Sequence, residues 1–531
     1  MVVQEGAATP EAAPGGSQMP VVDLLVVGGG INGVGVARDA AGRGLSVLLC
    51  EKDDLAQGTS SRSSRLIHGG LRYLEYGELR LVREALRERE VLMGIAPHLV
   101  RPLRFVLPHV PQMRPAWMLR AGLFLYDHLA PRARLAPSRP VRLDQVPEGA
   151  AVRPHIRRGF VYSDCRTDDA RLVLANALSA HERGARIRTG VELLQAERVA
   201  GGLWQVRLLD RRSGAQWLQP ARVLVNAAGP WVDTVSARVA AVRPRRHARL
   251  VKGSHIVVPK FWAGEQAFIL QHEDRRVVFA TPYEERYAML GTTDLPYDGA
   301  PEQAAISAAE IDYLCAAVNR QLRCLLGPAD VRYAYAGVRS LVQDEHDNPS
   351  AVTRDYLIDV ETGEPGAAAP GGKGAAPYVS ILGGKLTTYR RLAEHLLELL
   401  RPWFGALGGP WTGSAALPGG DLPAGGLFAA QDDFEREFDF VPRENARGLY
   451  ARHGSRARRV LHDARRLDDL GEHFGAGFYE READYLMTME WARSADDLLW
   501  RRTKFGLWLE PPQRAALEAW LERRQRDAGG P

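Results

Sequence analysis

The feature that most constrains this chain is a run of glycines that joins an apolar segment to a helix-forming one. Residues 21–27, VVDLLVV, are typical of a buried parallel strand, and Gly28, Gly30 and Gly33 follow at once in GGGING. The next residues favour a helix, and LSVLLCE, which ends at Glu51, favours a second buried strand. This order predicts a βαβ unit of a doubly wound α/β sheet.

Each residue of this motif suits a dinucleotide phosphate site. The first glycine allows a tight turn, the second lets the backbone approach a pyrophosphate, and the third lets the helix pack on the strand. The helix N-terminus offers free N–H groups and partial positive charge to the phosphates. Glu51 can accept hydrogen bonds from ribose hydroxyls and repels a 2′-phosphate, which disfavours NADP. The motif alone leaves open a nicotinamide dehydrogenase, a flavoprotein and a nucleotide sensor.

The bulk composition excludes several protein classes. The 531 residues, 45% hydrophobic and 25% charged, suit a globular protein of two or three domains, and the net charge of +5 is too small to indicate nucleic acid. Four cysteines without metal-ligand spacing indicate neither disulfides nor zinc, and no metal site is predicted. Residues 1–20 lack a signal-peptide pattern and predict a disordered tail, and no apolar run is long enough to span a bilayer. We therefore expect a cytoplasmic protein.

The order of segments predicts how the chain is divided. Short strand-like runs alternate with helical ones through the middle of the chain, which predicts an α/β architecture with insertions. Gly- and Pro-rich residues 407–426 mark a boundary, and the sequence beyond it is helical. There Pro442 and Gly454 bracket one candidate helix, and Ser494 with Asp497 forms a capping-box pattern for another.

A cluster of hydroxyl side chains follows the second strand. Thr59, Ser60 and Ser63 stand with other serines ahead of Gly69 and Gly70. Such a segment can hydrogen-bond a distant part of a long cofactor, with glycines where the backbone must approach closely. An ordinary polar loop is an equal alternative on these residues alone. The sequence has no second glycine motif that could bind NADH beside a flavin, so a bound flavin would pass its electrons elsewhere.

Longer motifs identify a family. The segments TSSRSSRLIHGGLRYLE, YSDCRTDDARLVLANA, KGSHIVVP, AGVRSL, TRDY and GGKLTTYRRLAEH, then DDLLWRRTKFGLWL, stand in this order along the chain. In these segments and in its glycine motif the chain resembles the FAD-dependent aerobic glycerol-3-phosphate dehydrogenases, which are related to D-amino-acid oxidase and have a glutathione-reductase-like fold. The resemblance covers nearly everything after residue 20.

The resemblance implies an architecture. The fold would be α/β, or α+β overall, with a Rossmann-like FAD-binding domain, an inserted antiparallel-sheet substrate domain and an α-helical C-terminal domain. The suggested bounds are 21–408 for the first two, with insertions near 106–159 and 251–334, and 409–531 for the third.

FAD is the cofactor that the resemblance implies. The turn NAAGPW would bring Gly229 near it, and the backbone of GGKLTT, at the start of a predicted helix, would face the flavin ring where reduction places negative charge. The residues expected to contact FAD are Gly28, Gly30, Asn32, Gly33, Glu51, Thr59, Ser60, Ser63, Leu66, His68, Gly69, Gly70, Gly229, Gly383, Gly384, Lys385, Leu386 and Thr387.

Glycerol 3-phosphate is the substrate that the resemblance implies. Arg339, Arg354 and Lys385 match the family's phosphate-binding positions, although each taken alone would more often be a surface residue. His255 matches an active-site histidine that would accept the C2 hydroxyl proton while hydride leaves C2 for the flavin, since imidazole titrates near neutrality. His255 and Arg339 are therefore the candidate catalytic residues, and all four are candidate substrate ligands.

Two residues depart from the family pattern. Ser340 stands where proline usually follows the arginine, and Arg65 stands where lysine is frequent. Neither change removes a group that the reaction needs, but the loop expected to hold Arg339 would be less rigid.

A basic and apolar segment suggests where the electrons go. Residues 101–142 contain eight arginines and one acid, Asp127, around the apolar run AWMLRAGLFLYDHLA. Such a segment suits a membrane surface, and a buried helix with solvated ends is the alternative. The resembled family is peripherally membrane-bound and reduces quinone. This implies ubiquinone or menaquinone as the acceptor at the inner face of the cell membrane, and a homodimer is left open.

Three other functions stay open at this point. A glycerol-3-phosphate oxidase would pass the electrons to oxygen. An FAD enzyme of the same fold would act on an amine or a hydroxy acid. A flavin or nucleotide sensor at the membrane would catalyse nothing.

Overall fold

The computed structural model describes residues 19–110, 113–272, 274, 276–342, 355–362, 375–423 and 425–528. The strands are β1 (Val22–Val27), β2 (Val47–Glu51), β3 (Leu66–Ile67), β4 (Val100–Pro108), β5 (Arg139–Arg142), β6 (Arg158–Thr167), β7 (Arg186–Thr189), β8 (Val191–Val199), β9 (Leu203–Asp210), β10 (Gln216–Asn226), β11 (Ala248–Pro259), β12 (Ala267–Gln271), β13 (Val277–Tyr283), β14 (Tyr287–Gly291), β15 (Leu295–Pro296), β16 (Tyr333–Val342), β17 (Leu357–Glu361), β18 (Tyr378–Leu382), β19 (His473–Gly475) and β20 (Phe478–Tyr479). The helices are α1 (Ile31–Gly42), α2 (Leu79–Ile95), α3 (Ala116–His128), α4 (Asp169–His181), α5 (Val232–Ser236), α6 (Ala308–Gln321), α7 (Tyr389–Leu400), α8 (Gly426–Glu437), α9 (Arg443–His453), α10 (Ala457–Leu461), α11 (Glu480–Met489) and α12 (Pro511–Ala528).

The first sheet contains the predicted βαβ unit. Strands β17, β18, β10, β1, β2 and β7 lie side by side in that order, and the pairs from β18 to β7 are parallel. Val26 of β1 lies between Val225 of β10 and Leu49 of β2, and all three side chains are buried. Strand β9 adds to β10 in the antiparallel sense, and β8 adds to β9. Continuous apolar strands at the centre agree with burial on both faces.

Helix α1 approaches this sheet closely because its glycines have no side chains. A Cβ on Gly33 would lie 1.9 Å from the carbonyl oxygen of Gly28, and one on Gly35 would lie 2.8 Å from the ring of Tyr389 on α7. Helices α1, α4 and α7 share one apolar core with the sheet. The third glycine of the motif therefore serves helix packing, as predicted.

The second sheet is the predicted antiparallel one. Its strands run in the order β15, β11, β14, β13, β12, β4, β6 and β3, with β16 paired to β11 and β5 paired to β6. The pairs are antiparallel except β12 with β4. These strands interrupt those of the first sheet in the sequence, which confirms an inserted antiparallel sheet on a Rossmann-like one.

Helix α3 is not a buried helix. It buries only Leu123 and Tyr126, whereas Trp117 is 70% exposed and Phe124 is 56% exposed. The alternative of a buried helix with solvated ends is therefore wrong for this segment. Among the described residues, no helix combines the length and the apolar character needed to cross a bilayer.

The C-terminal part is helical and has a core of its own, as predicted. Helix α9 begins after Pro442 and ends before Gly454. The backbone N–H of Asp497 donates to Ser494 Oγ at 3.1 Å, and the N–H of Ser494 donates to the Asp497 carboxylate at 2.9 Å. This capping box opens the π-helix Asp497–Arg502. Residues 1–18 of the expected tail lie outside the described ranges.

Candidate active site

The glycine loop lies at the carboxyl edge of the parallel strands. Gly28 follows β1 with a φ of +114°, a conformation that favours glycine, and Gly30 caps α1. The backbone N–H of Ile31 at the first turn of α1 donates to Ser60 Oγ at 3.0 Å. The loop thus has the geometry that a phosphate site requires, with the helix N-terminus directed at the edge of the sheet.

Glu51 ends β2 beside this loop. One carboxylate oxygen accepts the N–H of Gly29 at 2.7 Å, and the other accepts the N–H of Asp53 at 2.9 Å. Burial raises the pKa of Glu51, and these two donors oppose the rise. A carboxylate has about four acceptor sites, so capacity is left for two hydroxyl groups.

A cavity of about 390 Å³, called the edge cavity below, runs along the carboxyl ends of β1, β2, β10 and β18. The parallel strands bring their ends together, and this is where open α/β sheets bind ligands. The expected site residues that line it are Gly28, Gly30, Asn32, Glu51, Thr59, Ser60, Ser63, Leu66, His68, Gly229, His255, Arg339, Gly383, Gly384, Lys385, Leu386 and Thr387.

Four expected residues are not part of this lining. Gly33 packs under the loop, as described above. The N–H of Gly69 donates to the hydroxyl of Tyr126 at 2.8 Å, and Gly70, with a φ of +79°, opens the turn that follows. Arg354 lies outside the described residues.

The side chains of the hydroxyl segment form hydrogen bonds with other parts of the protein. Thr59 donates to the carbonyl oxygen of Val338 on β16, and Ser60 accepts from α1. Ser63 donates to Asp169 at 2.7 Å, and Ser64 Oγ lies 2.9 Å from Nε2 of His255. The segment therefore joins the glycine loop, the second sheet and the imidazole.

His255 lies in β11 between two neighbouring strands. Its ring stacks on Tyr335 of β16 at 5.0 Å, and a Cβ on Gly291 of β14 would lie 2.1 Å from the ring. Burial, with the cations Arg339 and Arg65 nearby, lowers the pKa of His255 to about 3. The expectation of an imidazole that titrates near neutrality is therefore wrong, because His255 is 2% exposed and two positive charges lie nearby.

Arg339 and Lys385 line the same edge cavity as His255, and Arg339 is close enough to His255 to affect its pKa. Arg339 is in β16, paired with Val251 of β11, so it stands on a strand and not on the expected loop. Its guanidinium lies 3.7 Å from the carboxylate of Asp294 and is 31% exposed. The Lys385 ammonium lies 3.8 Å from the ring centre of Tyr73. We call the region of His255 and Arg339 the substrate end, and the region of Glu51 and the glycine loop the nucleotide end.

The loop 383–388 connects β18 to α7. Gly383 and Gly384 have φ angles of +70° and +92°, and a Cβ on Gly383 would lie 2.9 Å from the carbonyl oxygen of Asp355. Asn32 of α1 donates to the carbonyl oxygen of Gly383 at 3.3 Å. The left-handed glycines therefore turn the chain back toward the glycine loop before the helix begins.

The family models match this architecture. Residues 23–390 match the model described as FAD dependent oxidoreductase, and residues 410–524 match the C-terminal domain of alpha-glycerophosphate oxidase. The chain belongs to the FAD-dependent oxidoreductases. FAD is thus the cofactor of this oxidoreductase, and the resemblance found in the sequence is confirmed.

Relatives of this oxidoreductase match it over nearly their whole length. A glycerol-3-phosphate dehydrogenase of Pseudomonas aeruginosa is 51% identical, with 94% of this chain and 95% of that protein covered. A D-erythritol 1-phosphate dehydrogenase of Brucella abortus is 49% identical (94% and 97% covered), and the aerobic glycerol-3-phosphate dehydrogenase of Escherichia coli is 47% identical (95% and 98%). The FAD complex of the Bacillus halodurans glycerol-3-phosphate dehydrogenase is 26% identical, with a TM-score of 0.72 and 95% and 94% covered.

The residues of this oxidoreductase fit FAD. The lining of the edge cavity includes Glu51, residues at the N-terminus of α1 beside it, and Lys385. An acceptor for ribose hydroxyls, N–H groups for a pyrophosphate and a cation near a ring that gains negative charge are the groups that this cofactor requires. A side chain at Gly28 or Gly33 would collide with the protein backbone, so the tight loop requires glycine at both positions.

Sequence reasoning missed several residues of the oxidoreductase site. Tyr335 contacts His255, and Val191 and Leu193 line the edge cavity. Ser64 was expected in the hydroxyl segment, but its contact with His255 was not. Val191 could have been found, because it follows the end of β7 at the same edge of the sheet. The contacts of His255 carry no local signal, since Ser64 is 191 positions away in the sequence.

Proposed function

We propose that this oxidoreductase oxidises sn-glycerol 3-phosphate to dihydroxyacetone phosphate at the substrate end of the edge cavity. The observation that carries the proposal is the convergence of His255, Arg339 and Lys385 in one cavity with the FAD-binding groups. The names of the relatives at 51% and 47% identity support this substrate.

Among the described residues, Arg339 is the proposed ligand of the substrate phosphate. Its contact with Asp294 is longer than a hydrogen bond, so among the described residues no close ion pair has to break for the guanidinium to turn toward a dianion. A guanidinium fork binds two phosphate oxygens at once. Lys385 adds a second positive charge, and Arg354 is proposed as a third on the sequence match alone.

His255 is the proposed acceptor of the C2 hydroxyl proton. Its pKa of about 3 keeps the ring neutral before substrate binds. A phosphate dianion beside Arg339 offsets the positive charge that depresses this pKa, so binding of the substrate makes the imidazole a stronger base. Nε2 contacts Ser64, and Nδ1 is buried and has no hydrogen-bond partner among the described residues.

FAD, when bound, supplies the acceptor for the hydride that leaves C2. The chain supplies the surroundings: the N–H groups at the start of α7 and the Lys385 ammonium favour negative charge near the loop 383–388. The remaining expected contacts with FAD at the hydroxyl segment and at Gly229 are part of the same proposal.

The division of the chain into domains at residues 21–408 and 409–531 is also proposed, and the separate C-terminal core supports it.

A membrane quinone is the proposed electron acceptor, reached from the inner face of the cell membrane. Helix α3 supports this because Trp117, Met118, Phe124 and Leu125 are exposed on it. Arg114, whose side chain is 51% exposed, stands at the start of the same helix. Exposed aromatic rings with arginines nearby are the composition of a helix that lies in a lipid interface.

The first experiment is anaerobic reduction of the purified holoenzyme by glycerol 3-phosphate. We expect the flavin band near ~450 nm to bleach within the turnover time. A flavin spectrum that glycerol 3-phosphate leaves unchanged would refute the substrate while keeping the fold. Lactate and a small amine serve as controls, and bleaching by either would favour the hydroxy-acid or amine alternative.

The acceptor is tested by reoxidation of the bleached enzyme. We expect fast recovery with a soluble quinone and slow recovery in air, and the reverse order would identify an oxidase. Flotation with anionic and neutral vesicles tests the membrane proposal. A variant with Trp117→Ser and Phe124→Ser should lose vesicle binding while it keeps flavin reduction.

D-Erythritol 1-phosphate is a second candidate substrate. The Brucella abortus relative named for it is 49% identical, about as similar as the glycerol-3-phosphate dehydrogenases. The ratio of kcat/KM for the two phosphates decides between them, because both carry the same dianion and differ in the length of the polyol.

A further inference from the structure

Three cations of the C-terminal part are buried next to one another. The side chains of Arg501, Arg502 and Lys504 are 9%, 0% and 3% exposed. They belong to the motif WRRTK, at the end of the π-helix and just after it. Buried cations require nearby anions, and these three find theirs mostly outside the C-terminal part.

Asp54 is the partner of both arginines. It accepts Nε of Arg501 at 2.6 Å and both terminal nitrogens of Arg502 at 2.6 and 2.7 Å. Arg501 also binds Asp497. Asp54 lies in the stretch that follows β2, so these bonds tie the C-terminal part to the first sheet.

Asp168 is the partner of Lys504, at 2.8 Å. Asp168 caps the N-terminus of α4, where it accepts the N–H of Arg171. Burial opposes ionisation of this carboxyl, but Lys504 and Arg65 hold its pKa below the usual value. The three buried cations thus face two buried carboxylates, those of Asp54 and Asp497, and the partly buried carboxylate of Asp168.

The stretch after Asp54 contacts the glycine loop. The N–H of Ala56 donates to the carbonyl oxygen of Gly29 at 3.1 Å, and a Cβ on Gly29 would lie 2.8 Å from the side chain of Leu55. The neighbours Asp53 and Gln57 line the edge cavity. Asp54 is therefore one residue away from a packing contact with the phosphate loop.

The residue after Asp168 contacts the other end of the same stretch. Asp169 accepts the N–H of Ser63 at 3.2 Å and its hydroxyl at 2.7 Å. Ser64, the next residue, contacts His255. Residues 54–64 thus carry FAD-site groups between two anchor points. The C-terminal part holds the first, Asp54, directly, and it holds Asp168, the neighbour of the second, Asp169, through Lys504.

We propose that Arg501, Arg502 and Lys504 are positioning residues of the FAD site, which hold residues 54–64 against the glycine loop through Asp54 and Asp168. The C-terminal domain is then part of the cofactor site although its residues do not line the edge cavity. The proposal rests on FAD binding and not on the identity of the substrate.

The test measures FAD release from the holoenzyme with Asp54→Asn. The amide leaves two buried guanidinium groups without their anion, and the stretch 54–57 loses its anchor. We expect FAD affinity to fall at least about tenfold, measured by recovery of flavin fluorescence on dilution, with a changed visible circular dichroism of the flavin that remains.

Glu490→Gln is the matched control. Glu490 is also a buried carboxylate between the two parts, and it pairs with Arg171 of α4, which does not line the edge cavity. We expect this variant to lower the unfolding midpoint and to change FAD affinity less than threefold. Equal losses of FAD affinity in the two variants, or no loss in Asp54→Asn, would overturn the proposal.

A second pair of variants covers the case in which Asp54→Asn does not fold. Arg502→Lys keeps the charge but not the two-pronged contact, so we expect it to fold and to release FAD faster than the wild type. Lys504→Met tests the contact with Asp168. We expect this variant to release FAD faster than the wild type while the stability of the apoprotein stays unchanged. Wild-type FAD release in both would refute the positioning role.

Discussion

The two ends of the edge cavity differ in how their polar groups are satisfied. At the nucleotide end both oxygens of Glu51 accept backbone N–H groups of the protein. At the substrate end, Nδ1 of His255 has no hydrogen-bond partner among the described residues, and the Arg339 guanidinium lies 3.7 Å from the Asp294 carboxylate.

Among the described residues, the protein satisfies the hydrogen-bonding groups of the nucleotide end but leaves one at the substrate end without a partner. At the nucleotide end, backbone N–H groups already orient the Glu51 carboxylate, so it need not reorganise when FAD binds. At the substrate end, burial and then the nearby positive charges of Arg339 and Arg65 depress the pKa of His255. We therefore expect the substrate end to depend on charge and the nucleotide end to depend on hydrogen-bond acceptors.

The largest effect should come from His255→Ala. We expect anaerobic flavin reduction by glycerol 3-phosphate to slow by roughly 10²–10⁴-fold, the range for loss of a general base. FAD content should stay at the wild-type level. His272→Ala is the control, since His272 follows β12 and does not line the edge cavity. Reduction at the wild-type rate in His255→Ala would exclude it as the base.

The next effect should come from Arg339→Met. Loss of charge-assisted hydrogen bonds to a phosphate costs about 2–3 kcal/mol, which is on the order of 100-fold in kcat/KM. We expect most of it in KM, and partial recovery in Arg339→Lys. Steady-state kinetics check this, and Lys260→Met on the same sheet is the control. An unchanged KM would remove Arg339 from the phosphate site.

Acid pH should reveal the depressed pKa of His255 as a loss of stability. The pKa is about 3 in the folded protein and about 6.5 when unfolded, so the unfolded state binds more protons between these values. Stability is then lost as pH falls from 6.5 toward 3, on the order of 2 kcal/mol from this group at pH 5. Unfolding midpoints of wild type and His255→Asn at pH 7 and pH 5 test this. The variant should lose less, and parallel losses would contradict the assigned pKa.

The smallest effect should come from Glu51→Gln at the nucleotide end. The amide keeps one oxygen acceptor and replaces the other with a donor that faces a backbone N–H. We expect about a tenfold loss of FAD affinity, measured by titration of the apoprotein, with the KM for glycerol 3-phosphate unchanged. Asp23→Asn, whose carboxylate accepts the hydroxyl of Ser46 near the start of β1 and does not line the edge cavity, should bind FAD as the wild type does.

The nucleotide end could be predicted from the sequence because its contacts are local. Gly28, Gly33 and Glu51 lie within one βαβ unit, and the period of the apolar residues defines the strands around them. Helix ends were predictable for the same reason: Pro442, Gly454 and the Ser494 and Asp497 pair act on neighbouring residues.

The substrate end could be named only through family motifs. His255 and Tyr335 stack because β11 and β16 pair, and no pattern near either residue predicts that pairing. The pKa of His255 was mispredicted because it depends on burial and on Arg65 and Arg339, which come from distant segments. Arg339 was expected on a loop because the motif does not reveal the strand that continues through it.

The ion pair of Asp54 with Arg502 joins residues 448 positions apart. During synthesis at about 5–20 residues per second, roughly 20–90 s pass between the appearance of the aspartate and that of its arginine. Throughout that interval the nascent glycine loop exists without its C-terminal anchor. A message cut short before codon 501 therefore yields a chain that has the complete phosphate motif but neither of the two arginines that pair with Asp54.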